Sequence, residues 1–231
     1  MTFKRELQRL YEQIKVTIEH RAAEFRAVWE RGGERELLCE LMFCLLTPAA
    51  RAHSAWEALQ NLKKKALILR ETVKQPQFSR FCAYNEDERR RRIADELRTV
   101  RFRNNKARNL MEAERFFVID GKVSVLSHLR RFHMIQDTRE WLAATIRGMG
   151  FKEASHFLRN IGRGQNIAIL DRHILRCLKR AGVIAAVPES LTAKAYVETE
   201  QRMKMFAGCI GIPIDHLDML LWYHETGEIF K

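Results

Sequence analysis

The chain has 231 residues, enough to bury a sizeable core as one domain or two small ones. Forty-one Lys and Arg against 29 Asp and Glu leave a net charge of +12 and a pI near 9.8, which points to a polyanionic partner through attraction and counterion release. No apolar run is long enough to span a bilayer and the opening MTFKRELQRL is amphipathic, unlike a secretory leader; the reading is a cytoplasmic, intracellular protein with no membrane partner.

In chain order, residues 3 to 30 carry apolar side chains at helical spacing and stop at Gly32-Gly33. Glu34 to Leu46 is apolar nearly all round, as in a central buried helix, and Thr47-Pro48 ends it; from chemistry alone Pro48 is a helix terminator. Short helices are expected over 54–62, 65–73, 78–84 and 86–97, with Lys63-Lys64-Lys65 between the first two and Gln75-Pro76-Gln77 before the third. The run Arg89-Arg90-Arg91-Arg92 reads first as a solvated face and second as a DNA contact. Arg101, Arg103, Lys106 and Arg108 make a better basic patch, with Phe102 interleaved and Asn104 placed to cap a helix over 105–117. Phe116 to Val125 has β-like character around Asp120-Gly121 and fits either a small hairpin or a helix break.

The segment from Asp137 to Arg180 holds the chemistry. It reads as a helix opened at Asp137 with Glu140 as its capping-box partner, the turn Gly148-Met149-Gly150, then a second helix ending before Gly162. Two glycines in such a turn permit positive φ, and the amides of the turn and the following helix start form a site for an anion, here a DNA phosphate. A plain αα-hairpin is the structural alternative. Lys152 tips the balance. A lysine in the first turn of a helix lies against the positive dipole end, and Phe151 and Phe157 can desolvate it; both effects favour the free amine that a Schiff-base nucleophile needs. Asp171 follows the apolar run Ile167-Ala168-Ile169-Leu170, where it is a good N-cap for a helix to Ala181 and also a carboxylate able to stabilise a developing cation. Two further helices are expected, from Pro188 to Phe206 with Gly208 beyond it, and from Pro213 to Thr226 capped by Gly227. The fold class is therefore all-α.

GMGFK followed by the acid after an apolar run resembles the helix-hairpin-helix DNA glycosylase superfamily. Leu41-Met42-Phe43-Cys44-Leu45-Leu46-Thr47-Pro48, Val100 to Ala107, Lys152 to Asn160, Ile169 to His173 and Leu221 to Gly227 with Lys231 are together similar to its 8-oxoguanine DNA glycosylase/AP lyases. That resemblance implies two helical lobes, 1–51 with 133–231 and 52–132, and an active site in the cleft between them. It implies Lys152 and Asp171 as catalytic residues and a base pocket of Lys231, Trp222, Asp218, Phe102 and Pro48. Phe102 would stack on an everted base, although a buried staple is the alternative, and Trp222 fits a core anchor as well. Gly148, Gly150, Arg101, Arg103 and Lys106 would hold the DNA backbone. The expected partner is double-stranded DNA containing 8-oxoguanine, bound by a monomer associated with the nucleoid. The chemistry calls for no metal or organic cofactor, though a monovalent cation can bridge the hairpin carbonyls to phosphate. Many superfamily members carry a four-cysteine iron–sulfur loop near the C-terminus; of Cys39, Cys44, Cys82, Cys177 and Cys209 only the last lies there, so buried thiols are expected instead. The alternatives are a glycosylase for another oxidised base and a non-catalytic DNA-binding module with the same hairpin.

Overall fold

The structure, a computed structural model, describes residues 2–69 and 85–230, and within them it is almost entirely helical. The opening helix α1 (Phe3–Arg31) ends where Gly32 turns left-handed at φ 63°. It is followed by α2 (Glu34–Leu46), in which every residue from Leu37 to Leu46 is buried. A helix with no polar face has to be surrounded, and α2 is: α3 (Ala52–Lys64), α5 (Arg103–Phe117) and α8 (Phe151–Asn160) all pack on it. Between them, α4 (Glu86–Glu96) lies along α5 and is capped by the Asn85 side chain, which accepts from Glu88 N–H at 2.8 Å.

Two clusters of buried side chains result. One gathers α2 to α5 with α6 (Val125–Leu129), α7 (Ile135–Thr145) and α8; the other gathers most of α1 with α9 (Arg172–Arg180), α10 (Ala193–Ile210) and α11 (Ile214–Thr226). Among the described residues no single helix is long and apolar enough to cross a membrane, and Cys39, Cys44, Cys177 and Cys209 are free thiols, the first three buried.

Several boundaries differ from the sequence reading, each for a local reason. The hairpin option holds for the β-like stretch: β1 (Val118–Ile119) pairs antiparallel with β2 (Lys122–Val123), and Asp120 and Gly121 both take positive φ, 50° and 74°, as a two-residue type I′ turn requires. Helix α7 begins at Ile135 after an extended Met134, so Asp137 sits in its first turn and is not the cap; Thr138 Oγ1 bonds back to the Met134 carbonyl at 3.2 Å. Helix α5 starts one residue before Asn104, after Phe102 in the left-handed region at φ 60°. Helix α10 begins well after Pro188, where the Thr192 hydroxyl accepts from Ala195 N–H, and it runs through Gly208 to a left-handed Gly211. Residues 65–69 are turn and bend instead of helix, and the remainder of the helices expected over 65–73 and 78–84 lies outside the described residues, as does Cys82.

Where α8 ends against α1, the contact is backbone to backbone. A Cβ on Gly162, whose φ is +74°, would stand 2.5 Å from Arg26 Cα and 2.8 Å from Phe25 O. Gly162→Ala is therefore expected to lower stability by about 2–4 kcal/mol, combining left-handed strain with a clash that no side chain can relieve. Gly208→Ala, in open space inside a helix, is expected to raise it by about 0.5–1 kcal/mol. Urea unfolding of the two variants decides both; equal effects of the same sign would contradict this packing.

Candidate active site

The hairpin between α7 and α8 is tighter than two flexible glycines. Gly148 alone takes positive φ, +81°, and a Cβ there would meet the Asn109 side chain at 2.0 Å. Gly150 is extended (φ −94°, ψ −175°), a conformation open to any residue; it is the N-cap of α8, and its N–H donates to Glu153 Oε2 at 3.2 Å. A Cβ on Gly150 would lie 3.1 Å from that oxygen. The capping box consumes one hairpin amide internally, so a phosphate at this turn would be left with the first amides of α8, which have no intrahelical acceptor.

Lys152 stands in the first turn of α8, its side chain 25% exposed. Its Nζ donates to Thr47 Oγ1 at 3.3 Å and pairs with Glu153 Oε1 at 3.0 Å, so Glu153 holds the hairpin with one oxygen and the lysine with the other. Thr47 itself donates to the Cys44 carbonyl at 2.9 Å, fixing the turn at the end of α2.

Asp171 is presented by an extended run that has no neighbouring strand. Its amides are met by side chains instead: Ala168 N–H by Glu200 Oε1 at 2.7 Å, Ile169 N–H by Asp218 Oδ1 at 3.2 Å, and Leu170 N–H by Tyr196 Oη at 3.0 Å. Asp171 then caps α9, accepting from Ile174 N–H at 2.9 Å. The supports are themselves braced. Glu200 accepts from both terminal nitrogens of the Arg139 guanidinium, Nη1 at 2.7 Å and Nη2 at 3.2 Å, in a pair of which each member is 1% exposed, and the guanidinium lies between the Phe151 and Tyr196 rings. Asp218 receives Arg159 Nη1 at 3.2 Å; burial pushes its carboxyl up to about 6, while Arg159 and the Ile169 amide pull the other way.

Lys152 and Asp171 open on one cavity of about 810 Å³. Its wall also includes Pro48, Arg101, Gly150, Asp218 and Trp222 from the sequence reading, with Thr47, Glu153, Arg159 and Phe230 in addition. The half-buried Trp222 meets the His173 ring edge-on, centroids 5.2 Å apart. At the end of the described chain, Phe230 packs on His53 at 4.0 Å between centroids and Glu228 pairs with His53 Nε2 at 2.8 Å, so Ile229 and Phe230 form part of the wall. Lys231, the next residue in the sequence, lies outside the described residues.

Other sequence-predicted residues lie away from the cavity or face it already engaged. Phe102 is 61% exposed at the start of α5, which rules out the buried staple, and it is next in sequence to the wall residue Arg101. Arg103 is exposed and 3.8 Å from Asp95 Oδ1. Lys106 corrects the reading outright: expected at the DNA backbone, it is 3% exposed and donates to the Leu46 carbonyl at 2.7 Å and the Pro48 carbonyl at 2.6 Å. Asp218, expected at the base, faces the cavity with its oxygens already engaged by Arg159 and the Ile169 amide. Of the Arg89-Arg92 run, Arg89 pairs with Glu114, Arg90 with Asp87 and Arg92 with Glu88, mostly as solvated helix-face pairs. The sequence reading missed Glu153 as the lysine's partner, although Glu at the third helical position after a glycine cap is a capping-box pattern; Thr47 entered it as a helix stop and not as a contact of Lys152, and nothing in the sequence marked Arg139 or Glu200.

Residues 18–80 and 79–212 match the family profile described as 8-oxoguanine DNA glycosylase. The 8-oxoguanine DNA glycosylase/AP lyase of Fusobacterium nucleatum is 40% identical over 226 residues, spanning 98% of this chain and 96% of its own length. The crystal structure of the 8-oxoguanine DNA glycosylase of Thermotoga maritima superposes with a TM-score of 0.80 at 31% identity, covering 99% of this chain and 98% of that one. The Methanocaldococcus jannaschii 8-oxoguanine glycosylase/lyase, crystallised with a 15mer DNA containing 8-oxoguanine, gives 0.82 at 27% identity over 100% of both chains.

Because Glu200 answers both a buried guanidinium and a buried amide, Glu200→Ala is expected to cost about 3–5 kcal/mol, the usual penalty for stranding one partner of a buried pair. Thermal and urea unfolding measure it. A loss under about 1 kcal/mol would mean that the run leading to Asp171 is held by something else.

Proposed function

This chain belongs to the 8-oxoguanine DNA glycosylase family, and from that premise we propose that it removes 8-oxoguanine from double-stranded DNA and then cuts the strand 3′ to the abasic site. The observation that carries the proposal is the opening of Lys152 and Asp171 on one cavity beside a hairpin suited to phosphate. Chemistry on a base requires the nucleotide to leave the stack, and a cavity of about 810 Å³ has room for the everted base and its sugar.

In this reading the first amides of α8, where it leaves the Gly148-Gly150 turn, hold the backbone phosphate, with Arg101 and Arg103 adding sequence-independent attraction. A monovalent cation, not needed for the chemistry, would be held by backbone carbonyls of the hairpin and would supply positive charge for the phosphate; just before the turn, the Ile146 carbonyl accepts the Met149 N–H at 3.1 Å. The Lys152 amine attacks C1′ of the sugar. The new N–C1′ bond forms as the C1′–N9 bond breaks, and the electron pair leaves with the purine, which takes up a proton. Asp171 stabilises the positive charge that develops on the sugar. Opening of the sugar ring gives the imine on Lys152, loss of a C2′ proton expels the 3′ phosphate, and water returns the amine. The Trp222 ring and Pro48 wall the everted base, and exposed Phe102, next in sequence to Arg101 of that wall, is left free to stack on a base. Lys231 reads the oxidised purine. An acceptor placed for the N7–H of 8-oxoguanine would face an unsatisfied N7 lone pair in guanine, a difference worth about 1–3 kcal/mol.

Borohydride trapping on duplexes carrying 8-oxoguanine, thymine glycol or an abasic site tests this reading. The wild-type protein is expected to form a covalent adduct with the 8-oxoguanine duplex, and Lys152→Gln none. Adduct on thymine glycol alone would make it a glycosylase for another oxidised base; no adduct on any duplex would leave a DNA-binding module. Deleting Lys231 is expected to lower excision of 8-oxoguanine more than cleavage at a preformed abasic site. Equal losses in the two assays would assign that residue to support of the fold.

A further inference from the structure

Four side chains with metal-binding atoms converge between α9 and α11, away from Lys152 and Thr47. His173 and Cys177 are four residues apart on one face of α9, and His224 and Glu225 are neighbours on α11. The Cys177 thiol donates to Glu225 Oε1 at 3.5 Å, and His224 Nδ1 stands 3.3 Å from the same oxygen. The donor atoms of Cys177, His224 and Glu225 all lie within 4.8 Å of one another. His173 Nδ1 faces the other carboxylate oxygen at 3.7 Å, is shut off from solvent and has no hydrogen-bond partner. From behind, His224 Nε2 lies 3.0 Å from Glu6 Oε1 of α1. A carboxylate only accepts, so Nε2 carries the hydrogen and Nδ1 turns a lone pair toward Glu225. Arg180 holds Glu6 in turn, Nη2 to Oε2 at 2.8 Å, and its Nη1 is 3.4 Å from His224 Nε2. Two acceptors that face each other need a positive charge between them.

We propose that Cys177, His224 and Glu225 bind a divalent cation of the zinc class, with His173 Nδ1 as the fourth donor and Glu6 as the carboxylate that orients His224. Tetrahedral zinc, with bonds of about 2.3 Å to sulfur and about 2.0–2.1 Å to nitrogen and oxygen, sets sulfur and oxygen about 3.6 Å apart and nitrogen and oxygen about 3.3 Å apart. The two measured separations, 3.5 and 3.3 Å, fit without movement of the helices. One thiolate, one carboxylate and two neutral imidazoles balance a double positive charge, and the sulfur and nitrogen donors exclude the hard cations calcium and magnesium. A carboxylate behind a ligating imidazole is the arrangement that fixes its ring and tautomer. Cys177 is buried and Glu225 sits at the exposed edge, which gives the ion a way in. The cation would tie α9, which Asp171 caps, to α11, which carries Trp222, so it would brace the cavity wall from behind without touching substrate.

The experiment takes the full chain, cleared of metal with a chelator, and titrates it with cobalt(II) and with zinc(II) alone. Cobalt is expected to raise a thiolate-to-metal charge-transfer band that saturates at one equivalent and that zinc then abolishes by displacement. Zinc is also expected to raise the thermal midpoint progressively with its concentration. Cys177→Ser should remove the band, and His224→Gln should weaken cobalt binding by about 100-fold. Glu6→Gln, which leaves every ligand in place, should weaken it by roughly 10-fold. Cys209→Ser, which removes the exposed thiol of α10, should leave the band as in wild type. A wild-type chain that shows no band, or a band that survives both Cys177→Ser and His224→Gln, overturns the inference. Should Cys177→Ser fail to fold, the other two variants decide: a band kept in Cys209→Ser and lost in His224→Gln supports the site, and the reverse pattern overturns it. None of these readouts involves DNA, so failure here leaves the glycosylase reading intact.

Discussion

An extended segment inside a helical protein has a problem that helices do not have: its backbone amides need partners from elsewhere. Residues 168–170 meet that constraint with three side chains from two other helices, Glu200 and Tyr196 of α10 and Asp218 of α11. Because each donor must be answered at hydrogen-bond distance, the run has little freedom to slide, and Asp171 leaves it in one direction. Glu200 is the most heavily used of the three. It also neutralises Arg139 of α7, whose guanidinium is sandwiched by the Phe151 and Tyr196 rings. One buried ion pair thus ties the hairpin helices to the segment that presents the acid, which is how two residues distant in sequence come to share a wall.

The lysine side of the cavity is organised by a different economy of contacts. Glu153 is both the capping-box carboxylate of α8 and the partner of Lys152, so the geometry that starts the helix also aims the amine. Opposite it, the turn after α2 is held from outside by Lys106 and from within by the Thr47 hydroxyl. The consequence is a group of three charges, Lys106 and Lys152 positive and Glu153 negative, in a place too dry for water to screen it fully. A surface ion pair would contribute little in the same positions; burial is what gives these charges leverage over one another.

The excess of basic residues divides in the same way. Arg101 and Arg103 remain exposed on the approach to the cavity, where a polyanion can reach them, while Arg139, Arg159 and Lys106 are spent inside as braces. Net charge therefore indicates the partner but does not say which cations meet it. The basic patch around Phe102 shows this directly, since its members sit on consecutive turns and point to different environments.

The sequence alone determined the elements that depend on local chemistry. The periodicity of α1 and α2, the Gly32 and Gly227 caps, Asp171 as the cap of α9 and Lys152 in the first turn of α8 are all readable because each is decided by residues within a turn or so of itself. Tertiary structure decided the rest. The start of α10 at Thr192, the left-handed entry at Phe102 and the burial of Lys106 and Arg139 depend on which helix lies alongside. A lysine at position 106 looks no different from Arg103 or Arg108 until α5 packs on the end of α2 and brings two carbonyls to it. Burial and pairing are properties of neighbours in space, and the code for those neighbours is spread over the whole chain, so the chemistry of single residues does not reveal it.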